Sequence, residues 1–365
     1  MKVTKKQLYK RQTTLAEIGE EGQQKLLQTK VIVVGCGGLG SVAAVYLAAS
    51  GVGNIHLIDF DSVDASNLHR QVFYKTEDVD QPKSEVLAKH IEAISPFVKV
   101  SFSTKAITKN TVLKIIKNAD YILDCTDSLP TKYLLNDACV VQDKTLIYGS
   151  LYKFDGYVSS FNVKLPKGAY GTNLRDAFPE ISEEAIPNCS EIGTLNTIVG
   201  IIGLMQANEV LKLVTGIGKP LINQLLIYYS LENMQYKMKL KPSFSKGKIS
   251  ELFKEENYYD ATCEIQKEEW LISAEDLRKK LAFGEATRGL HLISVIEDIE
   301  VKLPFAVRKK IPLSNLKVKQ FKFIAKNEYV IVCHQGISSY TATQQIKEAH
   351  PNLKVFSLKG GISNY

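Results

Sequence analysis

Four glycines crowd one short stretch of the sequence. Gly35, Gly37, Gly38 and Gly40 stand in VIVVGCGGLGSVAAV, where a β-branched run gives way to a helix-forming run. Glycine is needed where a backbone turns sharply and must approach a phosphate or ribose with no Cβ in the way. The helix start beyond it offers free N–H groups to an anion. About 24 residues after Gly35, Asp59 ends the next apolar run, where a carboxylate can accept from ribose hydroxyls. These features indicate a nucleotide and leave NAD and ATP both open.

The residues that follow narrow the choice. DFDSVDASNLHRQ carries Asp61, Asn67, Arg70 and Gln71, QPKSEV places Lys83 at a helix start, and DCTDS brings Asp124, Asp127 and Ser128 to the end of another strand. Two cations and a carboxylate on one edge of a sheet suit a triphosphate and its Mg²⁺. A dehydrogenase needs no such cluster. Two of the six cysteines stand out singly: Cys189 in PNCSEIG and Cys333 in VIVCHQGISSY. Near a helix start a thiol is favoured as thiolate, and a loop of backbone N–H groups would stabilise an anionic sulfur. Cys125, inside DYILDCTD, reads as core. No two cysteines form a C-x-x-C pair, so neither a four-cysteine metal site nor a disulfide framework is expected.

The elements that must position these groups alternate. VIVV and NIHLIDFD are strands, with a helix closed by Gly51 between them, and further helices and strands follow through YSLENMQYKMKL. Continuous β-branched runs belong to parallel strands covered on both faces. The pattern predicts an α/β fold: a doubly wound, Rossmann-like mixed sheet, with a second, smaller α/β domain. The expected division is 1–245, a linker over 246–265, and 266–365. Residues 4–28 show helical spacing, and 166–190 read as loop. The excess of seven positive charges is spread over both halves, unlike the basic stripe of a nucleic-acid binder. No uninterrupted apolar run approaches a membrane span, and no apolar stretch follows the basic N-terminus. A cytoplasmic protein that engages neither membrane nor nucleic acid is the expectation.

GCGGLG, DFDSVDASNLHRQ, QPKSEV, DCTDS and the N-terminal KRQ together resemble the MoeB/ThiF/HesA family, relatives of the ubiquitin-activating enzymes, from about Tyr9 to about Leu240. The resemblance implies that Gly38, Asp59, Asn67, Arg70 and Lys83 contact ATP and that Asp127 positions Mg²⁺. It implies a homodimer in which Arg11 reaches the phosphates of the neighbouring subunit. The substrate it implies is the C-terminal Gly-Gly carboxylate of a ubiquitin-like sulfur-carrier protein, converted to an acyl-adenylate. Ser128 stands where the family has Asn, a change that costs one nucleotide contact and keeps the carboxylate. Cys189 occupies the family's loop cysteine, able to form a thioester or disulfide with the activated carrier.

CHQGISS and LKGGISNY resemble the active loop and the C-terminal segment of a rhodanese, which implies a persulfide on Cys333, with a cysteine desulfurase as a candidate donor. The rhodanese pattern is incomplete. Leu292-Ile293-Ser294-Val295-Ile296-Glu297 replaces its usual Asp- and Arg-bearing segment, and the stretch before IPLSNL is missing. Most relatives hold a structural zinc with two C-x-x-C pairs. Here Asn173 and Asp176 hold the spacing of the first pair, and KLKPSFSKG, where the second should fall, has no cysteine. A zinc-free enzyme is expected, its 166–190 loop held by packing or mobile until a carrier tail docks. Competing readings are a family member that adenylates another substrate such as tRNA, an NAD-dependent oxidoreductase, and a non-catalytic scaffold.

Overall fold

The fold is that of a computed structural model, which describes residues 3–179, 193–256, 258, 267–282, 289–296, 298–316, 318, 323–324, 326–334 and 336–365. The chain divides into two compact units, Met1–Tyr259 and Asp260–Tyr365.

The first unit opens with three helices, α1 (Lys5–Leu8), α2 (Lys10–Thr13) and α3 (Gly19–Gln28). The helical spacing over 4–28 is thus broken twice, with Gly19 in the left-handed region at φ 55°. A parallel series follows: β1 (Lys30–Val34), α4 (Gly38–Ala49), β2 (Asn54–Ile58), α5 (Lys83–Ile94), β3 (Lys99–Ser103), α6 (Lys109–Ile116), β4 (Tyr121–Asp124), α7 (Leu129–Val141) and β5 (Thr145–Tyr152). The sheet then turns antiparallel through β6 (Asp155–Phe161), β7 (Gln224–Tyr229) and β8 (Met234–Lys239). Its eight strands run in the order β3-β2-β1-β4-β5-β6-β7-β8. Among the described residues three further helices follow in this unit: α8 (Leu174–Ala177), α9 (Asn196–Thr215) and α10 (Lys246–Glu255).

Strand β1 shows why the run is continuous rather than alternating. Val31 and Val33 enter one apolar core, and Ile32 and Val34 enter the other on the opposite face of the sheet. Both faces are dry, so every position is apolar. Val34 lies opposite Ile58 on one side and Asp124 on the other. The C-terminal ends of β1, β2 and β4 are thereby level, and the loops leaving them share one edge.

Helix α9 is long and apolar enough, by length and composition, to cross a membrane. It packs instead against α4, β5 and β6. The approach to α4 is close: a Cβ on Gly38 would meet Val199 Cγ1 at 2.2 Å, and one on Gly203 would meet the Leu39 carbonyl at 2.6 Å.

The stretch from 246, expected as linker, begins with helix α10. Its Ile249 and Phe253, one turn apart, are buried, and Phe253 and Tyr258 join the core beside α7. Lys109 Nζ donates to the carbonyls of Lys254 and Glu256, closing the C-terminal end of that helix. Three apolar residues, Ile249, Leu252 and Phe253, among six charged or polar ones are a weak sequence signal, yet i and i+4 make one face.

The second unit is a five-stranded parallel sheet ordered β11-β10-β12-β13-β9. Its elements are β9 (Leu271–Ile272), α11 (Ala274–Ala282), β10 (Leu290–Ser294), β11 (Lys309–Lys310), β12 (Glu328–Val332), α12 (Ile337–Ala349) and β13 (Lys354–Leu358). Apolar clusters lie on both faces of this sheet as well.

Candidate nucleotide site and cysteine loop

The glycine loop is moulded by backbone contacts. Gly35 has φ +88°, and a Cβ on it would meet the Cys125 carbonyl at 2.7 Å. A Cβ on Gly40 would meet the Gly35 carbonyl at 1.8 Å, so the first turn of α4 sits directly on the loop. Gly37 is different: a Cβ there would touch only Gln71 Nε2, at an ordinary 3.5 Å. The protein itself does not require glycine there, and the open face suits a ligand. No side chain caps α4 at Gly37, which leaves its first N–H groups for an anion. Gln71 is 3% exposed, and its Oε1 has no partner. An open glycine, uncapped amides and an orphaned acceptor together fit a bound nucleotide.

Asp59 is buried at the end of β2. Its Oδ2 accepts from Cys36 N at 2.6 Å and its Oδ1 from Asp61 N at 2.8 Å. Burial raises its carboxyl to about 6, with the neighbouring Lys83 pulling the other way. Lys83 opens α5, and its Nζ pairs with Asp61 Oδ2 at 2.9 Å. Asp61 therefore acts on the lysine in this structure. Asn67 Oδ1 accepts from Gln71 Nε2 at 2.8 Å, which fixes that amide. The Arg70 guanidinium donates to the Ser66 carbonyl at 3.3 Å and bonds the His69 ring at 3.1 Å; it has no carboxylate partner among the described residues.

The two aspartates of DCTDS part company. Asp127 is exposed beyond β4, whereas Asp124 is fully buried and pairs with Lys132 of α7 at 3.1 Å. Lys132 was not singled out in the sequence. It reads there as one polar residue in a helix; the turn from β4 into α7 brings it to Asp124, and the Gly149 carbonyl of β5 holds it there. Ser128 caps α7, its Oγ accepting from Thr131 N at 3.2 Å. Arg11 lies exposed on α2, whose neighbour Gln12 bonds the Ser50 carbonyl at the far end of α4. A 12-residue helix, ~18 Å long, separates that end from Gly38. Within one chain Arg11 is not part of the cluster. Helix α9 touches the site at two points more: Asn196 Nδ2 donates to the His69 carbonyl, and Gln206 Nε2 to the Asp124 carbonyl.

Cys189 lies outside the described residues. Cys125, expected as core, is buried, as are Cys36 and Cys139, and burial pushes all three thiols up. Of the 166–190 loop, expected to be held by packing or to be mobile, residues 173–176 are tied by specific bonds, and 180–190 lie outside the described residues. Arg175, 2% exposed, holds Asp137 through its Nε at 3.0 and 3.1 Å and a terminal nitrogen at 2.7 Å, and that terminal nitrogen also bonds Glu256. Asp176 Oδ2 accepts from Asn173 N and Nδ2, and Asn173 Oδ1 accepts from Arg175 N. Asn173 and Asp176 are thus engaged by internal donors, a set unsuited to tetrahedral zinc. Among the described residues no group of three or more His, Cys, Asp or Glu could hold a metal ion.

In the second unit Cys333 follows β12 and is 4% exposed. Gly336 N donates to its Sγ at 3.1 Å, and Sγ lies 3.2 Å from Ser339 Oγ, which bonds Ser357 Oγ at 2.8 Å. The loop is closed by Gly361, where a Cβ would meet the His334 carbonyl at 2.3 Å. A backbone N–H and a hydroxyl thus lie against the sulfur.

Residues 9–248 match the ThiF family. The chain belongs to that family. This ThiF-family chain is 42% identical over 235 residues to the sulfur carrier protein adenylyltransferase of Thermus thermophilus, covering 64% of this chain and 87% of that one. It is 34% identical over 358 residues to the probable adenylyltransferase/sulfurtransferase MoeZ of Mycobacterium tuberculosis, covering 97% of this chain and 91% of that one. The MoeZ match therefore runs through both units of the ThiF-family chain. Among solved structures, E. coli MccB with ATP superposes with a TM-score of 0.53 at 25% identity, over 60% of this chain and 66% of that one.

Proposed function

We propose that the first unit adenylates the C-terminal Gly-Gly carboxylate of a ubiquitin-like sulfur-carrier protein, and that the second, rhodanese-like unit supplies sulfur from Cys333. The convergence of the glycine loop, Asp59, Lys83 and Asp127 on one edge of the sheet carries this reading. The match to MoeZ over both units supports it.

The carboxylate oxygen of the carrier attacks the α-phosphate of ATP, and pyrophosphate leaves with the electron pair of the broken P–O bond. Positioning and charge stabilisation are the main requirements. In this reading the open face at Gly37 and the α4 amides receive the nucleotide, and Asp59 accepts from the ribose. Arg70 and Lys83 meet the phosphates, joined by Arg11 of a second copy in a homodimer. Asp127 would hold Mg²⁺, which supplies positive charge to the triphosphate. In the next reaction a persulfide sulfur on Cys333 attacks the acyl carbon, and AMP leaves. Release of the thiocarboxylate breaks the S–S bond to Cys333. A thiolate, the role given to Cys189, takes the Cys333 sulfur into a disulfide as the thiocarboxylate leaves, and an external thiol reduces that disulfide for the next turn. A cysteine desulfurase loads Cys333, all within the cytoplasm, and no zinc is required.

ATP–pyrophosphate exchange with purified candidate carriers tests the reading. Exchange that depends on a Gly-Gly-ended carrier is expected. Exchange driven by tRNA instead, or tight binding of nicotinamide nucleotides without exchange, would overturn it.

A further inference from the structure

Asp124 and Lys132 form an ion pair with side chains 0% and 4% exposed, directly beneath the strand end that carries Asp127. Burying two charges is costly unless every lone pair and proton is met, and here they are met in a particular way. Lys132 Nζ donates to Asp124 Oδ2 at 3.1 Å and to the Gly149 carbonyl of β5 at 2.9 Å, 5.0 Å from the centre of the Tyr148 ring. Asp124 Oδ1 accepts from both the N–H of Thr126, at 3.1 Å, and its hydroxyl, at 2.8 Å. Neither charge faces solvent. The carboxylate spends one oxygen on its counter-ion and the other on the residue just before Asp127.

The geometry points to Asp124 and Lys132 as a positioning pair for the Asp127 carboxylate. The exposed aspartate is fixed from both sides. Before it, Thr126 is clasped by Asp124 Oδ1; after it, Ser128 caps α7. Lys132 holds Asp124 in the orientation that presents Oδ1 to Thr126, and through the Gly149 carbonyl it anchors that arrangement to β5. The same backbone lies against the glycine loop, since a Cβ on Gly35 would meet the Cys125 carbonyl at 2.7 Å. The pair thus sets the separation between the loop that receives the nucleotide and the carboxylate that receives its metal, without touching either ligand.

This inference rests on the reading of Asp127 as the metal-side carboxylate, and the test separates the two. Binding of ATP to the full-length protein is measured by calorimetry across a Mg²⁺ titration and again in a chelator. Thr126→Val removes one bond from Asp124 Oδ1 and leaves the ion pair intact; Asp124→Asn discharges the pair. We expect Thr126→Val to raise the Mg²⁺ concentration needed for half-maximal binding about threefold, and Asp124→Asn about tenfold. Affinity for metal-free ATP should stay within twofold of the parent. Should Asp124→Asn fold poorly, the Thr126→Val titration decides alone. A parental Mg²⁺ dependence in Thr126→Val overturns the positioning role, provided Asp127→Ala loses that dependence in the same assay. If Asp127→Ala also titrates like the parent, the reading of Asp127 has failed, and the positioning inference with it.

Discussion

Asp176 Oδ1 accepts from both the N–H and the hydroxyl of Ser243, at 2.6 and 2.9 Å, across 67 residues of chain. The same oxygen accepts from Phe244 N at 2.9 Å, while Oδ2 binds the start of its own helix, α8. One carboxylate therefore clasps the segment after β8 to the segment that enters 180–192. Hydrogen bonds to a charged group contribute about 1.5–3 kcal/mol. Asp176→Ala should lower the unfolding free energy by about 2–3 kcal/mol, read as a shifted urea midpoint at unchanged slope. A loss under 0.5 kcal/mol would show the clasp to be incidental.

With its carboxylate occupied in this way, Asp176 has little left to offer a metal. Elemental analysis of the purified, untagged protein should find far less than one zinc per chain after dialysis against a chelator. About one zinc per chain, retained through that dialysis, would mean that ligands exist outside the described residues.

Asp127→Ala should cut ATP–pyrophosphate exchange by about a thousandfold, the equivalent of ~4 kcal/mol of lost charge stabilisation. The thermal midpoint should not move, because this side chain is exposed. Near-normal exchange in the variant would remove Asp127 from the site.

Asp59 gives the site a pH signature. Its folded value of about 6 lies above the ordinary 3.8, chiefly through burial. The unfolded chain therefore releases this proton first. The free protein loses stability as pH rises from about 4 to about 6, and the deficit is then constant. Only the ionised carboxylate accepts from two ribose hydroxyls without holding a proton of its own. Nucleotide affinity, measured from pH 5 to pH 8, should therefore rise up to tenfold per unit below 6 and level off above 7. Asp59→Asn should bind more weakly with a flat profile. A flat profile in the parent would take Asp59 off the ribose.

Cys333→Ala should leave pyrophosphate exchange at the parental rate and abolish thiocarboxylate formation from a persulfide donor, because the proposed function assigns the two chemistries to different units. Mass spectrometry of the carrier reads the added sulfur. Thiocarboxylate at the parental rate would exclude Cys333 as the relay.

The parts of this molecule legible in the sequence are those that local pattern determines. The β-branched run at Val31–Val34 announces a strand buried on both faces, and the glycines after it announce a tight turn into a helix. Asp59, Lys83 and Asp127 could be gathered on one edge because parallel strands place their C-terminal ends together. The partners of these residues were not legible. That Lys83 meets Asp61, and Lys132 meets Asp124, depends on side chains from separate elements converging, which no spacing records. Helix α10 escaped notice because only Ile249 and Phe253 mark its buried face. The bonds of Asp176 to Ser243 and Phe244 join segments far apart in sequence, and a polar residue in a polar loop gives no sign of them.

The pairing of Lys83 with Asp61 changes how this edge of the sheet looks to an approaching polyanion. Taken with Arg70, Asp59 and the exposed Asp127, it leaves the site with no net positive charge. A triphosphate that arrives bare brings a large negative charge to a place with no excess of cations to receive it. The same triphosphate with a divalent cation already attached offers Asp127 a partner of opposite sign. In the proposed enzyme, discrimination against uncomplexed nucleotide is then a property of the resting protein, and it follows the free Mg²⁺ level more closely than the total ATP level.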